Sequence, residues 1–271
     1  MIKENSFLFE KYLALLGLKI SDPTLDFLTK IVKAHLTRIP FENVSKLLLK
    51  KQGLNYIPNL SEYLAGIETH HFGGTCYTIN YYLFLLLEYL GYDTNLCGAD
   101  MRNPDVHLIS IVTIDRKEFL VDCGYAAPFF TPMPRNIKED YIFNFGEEKY
   151  IIKPKDKYGN TKVEQYFNGK LQHWYTAKPQ PRKIEKFKKV IEDSYADDAT
   201  FMNAIHITRF NENGSFVLKN LYLRETVNHK TSTTKIERKD LANIAEQKFG
   251  IPTEVVAEAT SHLKQLKDIY D

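Results

Sequence analysis

The sequence predicts an α+β fold in which helices come first and strands follow. Three observations carry this. Apolar residues recur at helical spacing through roughly the first 90 residues. From about Thr94 the pattern changes to β-branched and aromatic runs punctuated by turn residues, and two helical stretches close the chain. Strands grouped in this way, rather than alternating one for one with helices, argue against a doubly wound α/β arrangement.

Taken in order, Asp22-Pro23 reads as an N-cap followed by proline at the first helical position. Leu25, Leu28, Val32 and Leu36 then share one helical face with Ile31 on its flank, and Pro40 ends the helix. A second helix starts after Gly73-Gly74 and runs to Leu90, where Gly91 stops it. Between Ile79 and Leu90 only Asn80 and Glu88 are strongly polar, which marks a buried helix. Residues 106–114 and 118–125 flank the polar Asp115-Arg116-Lys117 and predict a hairpin. More strands are expected over 141–176, with Asn168-Gly169 as a turn. Ile184, Phe187, Val190 and Ile191 mark a short helix. Strands over 203–210 and 215–227 are joined by Asn211-Glu212-Asn213-Gly214, and helices near 240–249 and 253–270 finish the chain.

A chain of 271 residues forms one large domain or two to three lobes and needs neither metal nor disulfide to hold a core. The 36 Lys and Arg against 34 Asp and Glu leave a net charge of +2, too balanced to argue for nucleic acid. The first 20 residues mix Glu4, Glu10 and Lys11 into the apolar run, so no secretory signal is expected. No run of roughly 18 apolar residues predicts a membrane span. Cys76, Cys97 and Cys123 are therefore expected as free thiols of a cytoplasmic protein, at spacings that fit no zinc site. The 17 Tyr and 17 Phe supply core, and some of these rings suit a pocket for a flat substrate.

The chemistry gathers at Cys76. It stands two residues after Gly73-Gly74 and heads the buried helix, where backbone N–H groups favour a thiolate. The glycines allow a sharp turn and a close approach to the sulfur. A lone cysteine there would be an ordinary small apolar residue; His107 and Asp122 change that reading. An even-length turn at Asp115-Arg116 sets His107 opposite Asp122 or one diagonal step away, on the same sheet face and between apolar neighbours. Such a pair is either self-satisfied in the core or a base oriented by its carboxylate.

These residues also carry a resemblance. Arg38-Ile39-Pro40-Phe41-Glu42-Asn43-Val44 after Ala34-His35-Leu36, Gly73-Gly74-Thr75-Cys76 with Asn80, His107, and Leu120-Val121-Asp122-Cys123-Gly124-Tyr125 occur in the order and spacing of the arylamine N-acetyltransferases. Asn203 and the 211–214 region resemble that family's later strand pair. The resemblance implies three lobes: a helical bundle over 1–92, an antiparallel β-barrel over 93–195 and an α/β lid over 196–271, with a cysteine-protease-like triad in the cleft. It implies ping-pong transfer from acetyl-CoA to an aromatic amine or hydrazine, without a metal. Cys76 would be the nucleophile, His107 the base, Asp122 its orienting carboxylate, and Tyr125 a wall of the acceptor pocket. The same fold and triad also serve amide synthases that release an aryl-amine chain from a carrier. A transglutaminase- or protease-like enzyme and a binding protein that has kept the fold are further readings.

The sequence departs from the family pattern at Phe72, where an arginine is usual, and at Thr78, Cys123 and Ala126. Phe72 has no donor with which to brace Glu42. Glu42 is thus expected to be exposed or to find another cation, with Arg38 favoured over Lys46 and His71. Phe72 is expected to pack beside the helix of Cys76.

Overall fold

The computed structural model describes residues 6–211, 213–261, 263 and 266. Helices α1 (Ser6–Leu15), α2 (Leu25–Arg38), α3 (Val44–Lys51), α4 (Leu60–His70) and α5 (Cys76–Tyr89) fill the first third. The N-cap of α2 is Thr24, whose hydroxyl accepts from the Phe27 N–H. The Asp22-Pro23 start is thus two residues early, with Pro23 just outside the helix. Helix α5 is the pivot of the bundle. Tyr77, Ile79, Tyr82, Leu83, Leu86 and Leu87 are all buried, so it is enclosed nearly all round, as its composition implied. Each such large apolar side chain contributes roughly 1.5–3 kcal/mol.

One short strand interrupts the helices. β1 (Phe41–Glu42) leaves the bundle to pair with β10 (His206–Asn211) at the edge of a five-stranded antiparallel sheet. That sheet continues through β11 (Gly214–Lys219), β12 (Tyr222–Val227) and β13 (Lys230–Lys235). The single strand expected over 215–227 is two, folded at Asn220, which takes a positive φ of 50°. Strand β13 carries no apolar signal; its sequence KTSTTK is mostly exposed. The start expected at Asn203 lies three residues early, since Asn203 caps a 3-10 turn. Helices α7 (Leu241–Phe249) and α8 (Thr253–Thr260) follow, and most of the expected continuation to Tyr270 lies outside the described residues.

The middle of the chain forms an eight-stranded antiparallel sheet. Its strands are β2 (Asp93–Asp100), β3 (His107–Ile114), β4 (Lys117–Val121), β5 (Met133–Pro134), β6 (Tyr141–Phe145), β7 (Glu148–Ile152), β8 (Thr161–Phe167) and β9 (Lys170–Pro181). In the order β5-β4-β3-β2-β9-β8-β7-β6 they curl into a nearly closed barrel around Leu120, Phe129, Tyr150, Val163 and Tyr175. A 3-10 turn at Ile184–Phe187 and helix α6 (Lys188–Asp193) leave the barrel and pack with α3 and α8 in the second core. Among the described residues no helix is long and apolar enough to cross a membrane.

Candidate active site

Two glycines shape the turn into α5, each for its own reason. A Cβ on Gly73 would lie 1.8 Å from the Pro40 carbonyl oxygen, so nothing larger fits. Gly74 takes a φ of +85°, a region that L side chains resist. Cys76 then opens α5 as its first residue, 8% exposed.

The loop is held from below by Glu42. Its carboxylate is fully buried and accepts from Gly73 N (3.2 Å), Gly74 N (2.6 Å), Ser45 N (2.8 Å) and Ser45 Oγ (2.6 Å). Burial pushes the Glu42 pKa up against the pull of these bonds. Among the described residues no cation pairs with it, which overturns the expected partnership with Arg38. The Arg38 guanidinium instead covers Gly17, and the Lys46 ammonium donates to Ser194 Oγ at 2.6 Å. The physical reason is that neutral donors suffice: two backbone N–H groups and one serine supply four bonds without desolvating a second charge. Phe72 turns back onto α4, over Gly66, and stacks at a tilt against His70 5.1 Å away.

The opposite wall is the β3–β4 hairpin. It turns on two residues, Asp115 and Arg116, both at positive φ, with Ile114 paired to Lys117 and Ser110 to Val121. That register sets Asp122 one diagonal step from His107 on the same face, the second of the two geometries the spacing allowed. His107 Nε2 and Asp122 Oδ2 are 2.8 Å apart and both side chains are buried. Asp122 Oδ1 accepts from Asn80 Nδ2 at 2.8 Å and from Gly124 N at 3.0 Å.

Asn80 is the residue whose role the sequence reading missed. It lies four positions after Cys76, hence on the same face of α5. Its amide also donates to the Leu108 carbonyl at 2.6 Å, and its Oδ1 accepts from Cys123 N and Gly124 N. One helix face therefore presents the thiol and clamps the carboxylate. Gly124 permits the approach: a Cβ there would stand 2.7 Å from both Cys76 Cα and Asn80 Nδ2.

Cys76 comes to this pair through Asn80, one turn further along α5, which grips the Asp122 that holds the His107 ring, and through Gly124, which packs on the Cys76 Cα. With Nε2 taken by Asp122, Nδ1 is the ring nitrogen left open. Burial alone would push the imidazole pKa down, yet Asp122 and Cys76 together raise it to about 10. The other two cysteines are different. Burial pushes Cys97 up to about 12 and Cys123 well above the ordinary thiol range.

Tyr125 stands beside this group, its ring 5.7 Å from that of His107 and 4.8 Å from that of Tyr175, and stacked on Phe129. Tyr125 Oη is 2.6 Å from His173 Nδ1. No sequence signal marked His173 or Tyr175, because β9 brings them in from about 50 residues away. Among the described residues no group of three or more His, Cys, Asp or Glu side chains could hold a metal ion.

A family model described as N-acetyltransferase matches residues 24–258. The chain belongs to the arylamine N-acetyltransferase family. Among its relatives is the pineal gland isozyme of arylamine N-acetyltransferase from Gallus gallus, 31% identical over 159 residues, which span 52% of this chain and 53% of that protein. Proansamycin X synthase of Amycolatopsis mediterranei is 26% identical over 202 residues, spanning 70% of this chain and 75% of that one. The arylamine N-acetyltransferase of Mycobacterium abscessus superposes with a TM-score of 0.81 at 15% identity, over 97% of this chain and 98% of that one. The Mycobacterium marinum enzyme, solved in complex with CoA, gives 0.76 at 20% identity over 92% and 93%. The protein is thus an acyltransferase of this family, with the α+β architecture of its members.

Proposed function

We propose that the protein transfers an acetyl group from acetyl-CoA to an aromatic amine or hydrazine by a ping-pong route through a thioester on Cys76. The observation that carries this reading is the meeting of Cys76, at the head of α5, with the buried His107–Asp122 pair, which Asn80 on the same helix face clamps through Asp122.

In the first half-reaction the proton of Cys76 passes to His107, and the thiolate attacks the acetyl carbonyl. The carbonyl–sulfur bond to CoA breaks, the acetyl group stays on Cys76, and His107 returns the proton to the departing CoA thiolate. In the second, the amine nitrogen attacks the Cys76 thioester and gives a proton to His107 as the amide forms. Cys76 leaves as the thiolate paired with imidazolium. Asp122 keeps the ring turned with Nδ1 toward the sulfur and stabilises its charged form. An imidazole whose pKa Asp122 and Cys76 raise to about 10 against the pull of burial suits a ring that takes up this proton readily. The Tyr125 ring, 5.7 Å from that of His107, supports its role as a wall of the acceptor side for a flat aromatic amine. The CoA complex of the Mycobacterium marinum relative supports the donor. Three unpaired thiols suit a reducing, cytoplasmic setting.

The deciding experiment uses intact-protein mass spectrometry after mixing with acetyl-CoA and no amine. One acetyl group should appear, map to Cys76 and be discharged by added arylamine. Cys97→Ala and Cys123→Ala should behave as the wild type and Cys76→Ala should stay unmodified. Acetylation that persists in Cys76→Ala and turns over with amine would refute the mechanism.

A further inference from the structure

Behind the nucleophile loop lies a cavity of about 530 Å³ that this chemistry leaves unused. Helices α3 and α4 wall it and Gly73-Gly74-Thr75 closes one end, but none of Cys76, His107, Asp122 and Tyr125 lines it. The volume suits a small organic molecule rather than a water or two. Leu48, Leu49 and Phe72 give an apolar wall, Lys46 gives a buried cation, 5% exposed, and the one carboxylate of the lining, Glu62, is exposed and accepts from the Asn59 N–H. The Lys46 ammonium bonds Ser194 Oγ and stands 4.4 Å from the centroid of the Tyr195 ring, itself part of the wall. No carboxylate among the described residues pairs with it, and burial pushes its pKa down to about 8. A second polar atom of the wall, His70 Nδ1, is buried with no hydrogen-bond partner among the described residues. A buried ammonium of this kind gains most from an anion.

The cavity also touches what holds the nucleophile. Ser45 on its α3 side and Gly73-Gly74 at its end meet on the same Glu42 carboxylate, so a ligand between them presses on the loop of Cys76.

We propose that this cavity is an effector site for a small aromatic carboxylate. The anionic end pairs with Lys46, the ring lies on Leu48, Leu49 and Phe72, and occupancy slows the chemistry of Cys76. The slowing rests on the thiol being the nucleophile; the binding does not.

The test uses 2-naphthoate, which has no amine and cannot act as acceptor. Calorimetry on protein whose Cys76 carries a maleimide should show one equivalent bound, because the blocked cleft is a different place. Lys46→Met, which keeps the apolar stem, should weaken binding by about tenfold or more. Ala65→Trp, which sets an indole into the cavity, should abolish it. On unblocked protein, saturating 2-naphthoate should slow iodoacetamide alkylation of Cys76 by about threefold or more, and have no effect in Ala65→Trp. Absence of millimolar binding to blocked protein, or binding that survives both substitutions, overturns the site; binding with an unchanged alkylation rate overturns the coupling. Should Lys46→Met fail to fold, Ala65→Trp and Leu49→Trp decide alone. The calorimetric arm needs no acyl transfer, so its failure and that of the acetyltransferase reading are read separately.

Discussion

The two walls of the site hold their key groups by opposite means. On the hairpin side, His107 faces the carboxylate of Asp122 inside the core, and the pair is oriented by Asn80. On the helix side, a carboxylate just as buried, Glu42, has only N–H and O–H donors around it. The difference lies in what each must do. On the proposed mechanism His107 takes up a proton and needs a counter-charge to stabilise it, whereas a loop that must only keep its shape is held as well by neutral donors, without the desolvation of a second ion.

The charged wall should fail in chemistry first. Asp122→Asn keeps the shape but favours the wrong ring tautomer, and kcat/KM should fall by about 10³- to 10⁴-fold with the fold intact by circular dichroism. A loss below about tenfold would remove the distinction drawn here.

The walls should also separate in the pH dependence of stability. His107 is raised from 6.5 to about 10, so the folded state holds its proton more tightly than the unfolded one. Its contribution is complete below about 6.5 and is lost as pH climbs toward 10, at up to about 1.4 kcal/mol per pH unit. Glu42 is also raised, from 4.5, so its contribution too is complete at low pH, but it begins to fade from the carboxylate range. Thermal melts of the wild type and of the His107→Gln, Asp122→Asn double variant, which leaves no charge unpaired, should diverge in stability between pH 6.5 and 10. Parallel curves across that window would show that the pair carries no net proton linkage.

On the neutral wall, Glu42→Gln turns an amide toward donors and should lower stability by about 2–3 kcal/mol at neutral pH. Arg38→Ala should change it by about 1 kcal/mol or less, because the guanidinium does not touch Glu42. Equal losses would restore an ion pair between them. The smallest effect is expected at Ala126, which holds a positive φ of 58°. Ala126→Gly should raise stability by up to about 1 kcal/mol in chemical denaturation, because glycine relieves strain that alanine retains.

What was legible in the sequence was local. Helix α5 showed in its apolar run between two glycine signals, and the hairpin showed in the β-branched runs around Asp115-Arg116, which fixed the face shared by His107 and Asp122. What could not be read depends on contacts across the chain. Phe41–Glu42 has no strand signal of its own; it is a strand because β10 lies alongside. Strand β13 is polar on both faces, and the turn at Asn220 lacks a glycine or proline. The partners of Glu42 were missed because main-chain N–H groups belong to every residue and mark none of them. Asn80 was visible as a motif letter, but its grip on Asp122 needed the closeness that Gly124 allows.

Three consecutive residues tie the helical first part of the chain to a strand far along the sequence. Phe41 and Glu42 pair with Thr208 and Ile207, and the Asn43 side chain bonds the main chain of Phe201, Ala204 and His206. During synthesis this sets a schedule. When roughly the first 200 residues have left the ribosome, the thiol, imidazole and carboxylate have all been made, yet the strand against which the Glu42 segment is laid has not. A nascent or truncated chain therefore carries every reactive group without the frame that aims them. Reactivity toward thioesters arrives only once β10 has emerged, and fragments that stop before β10 should be inert rather than wasteful hydrolases of CoA esters.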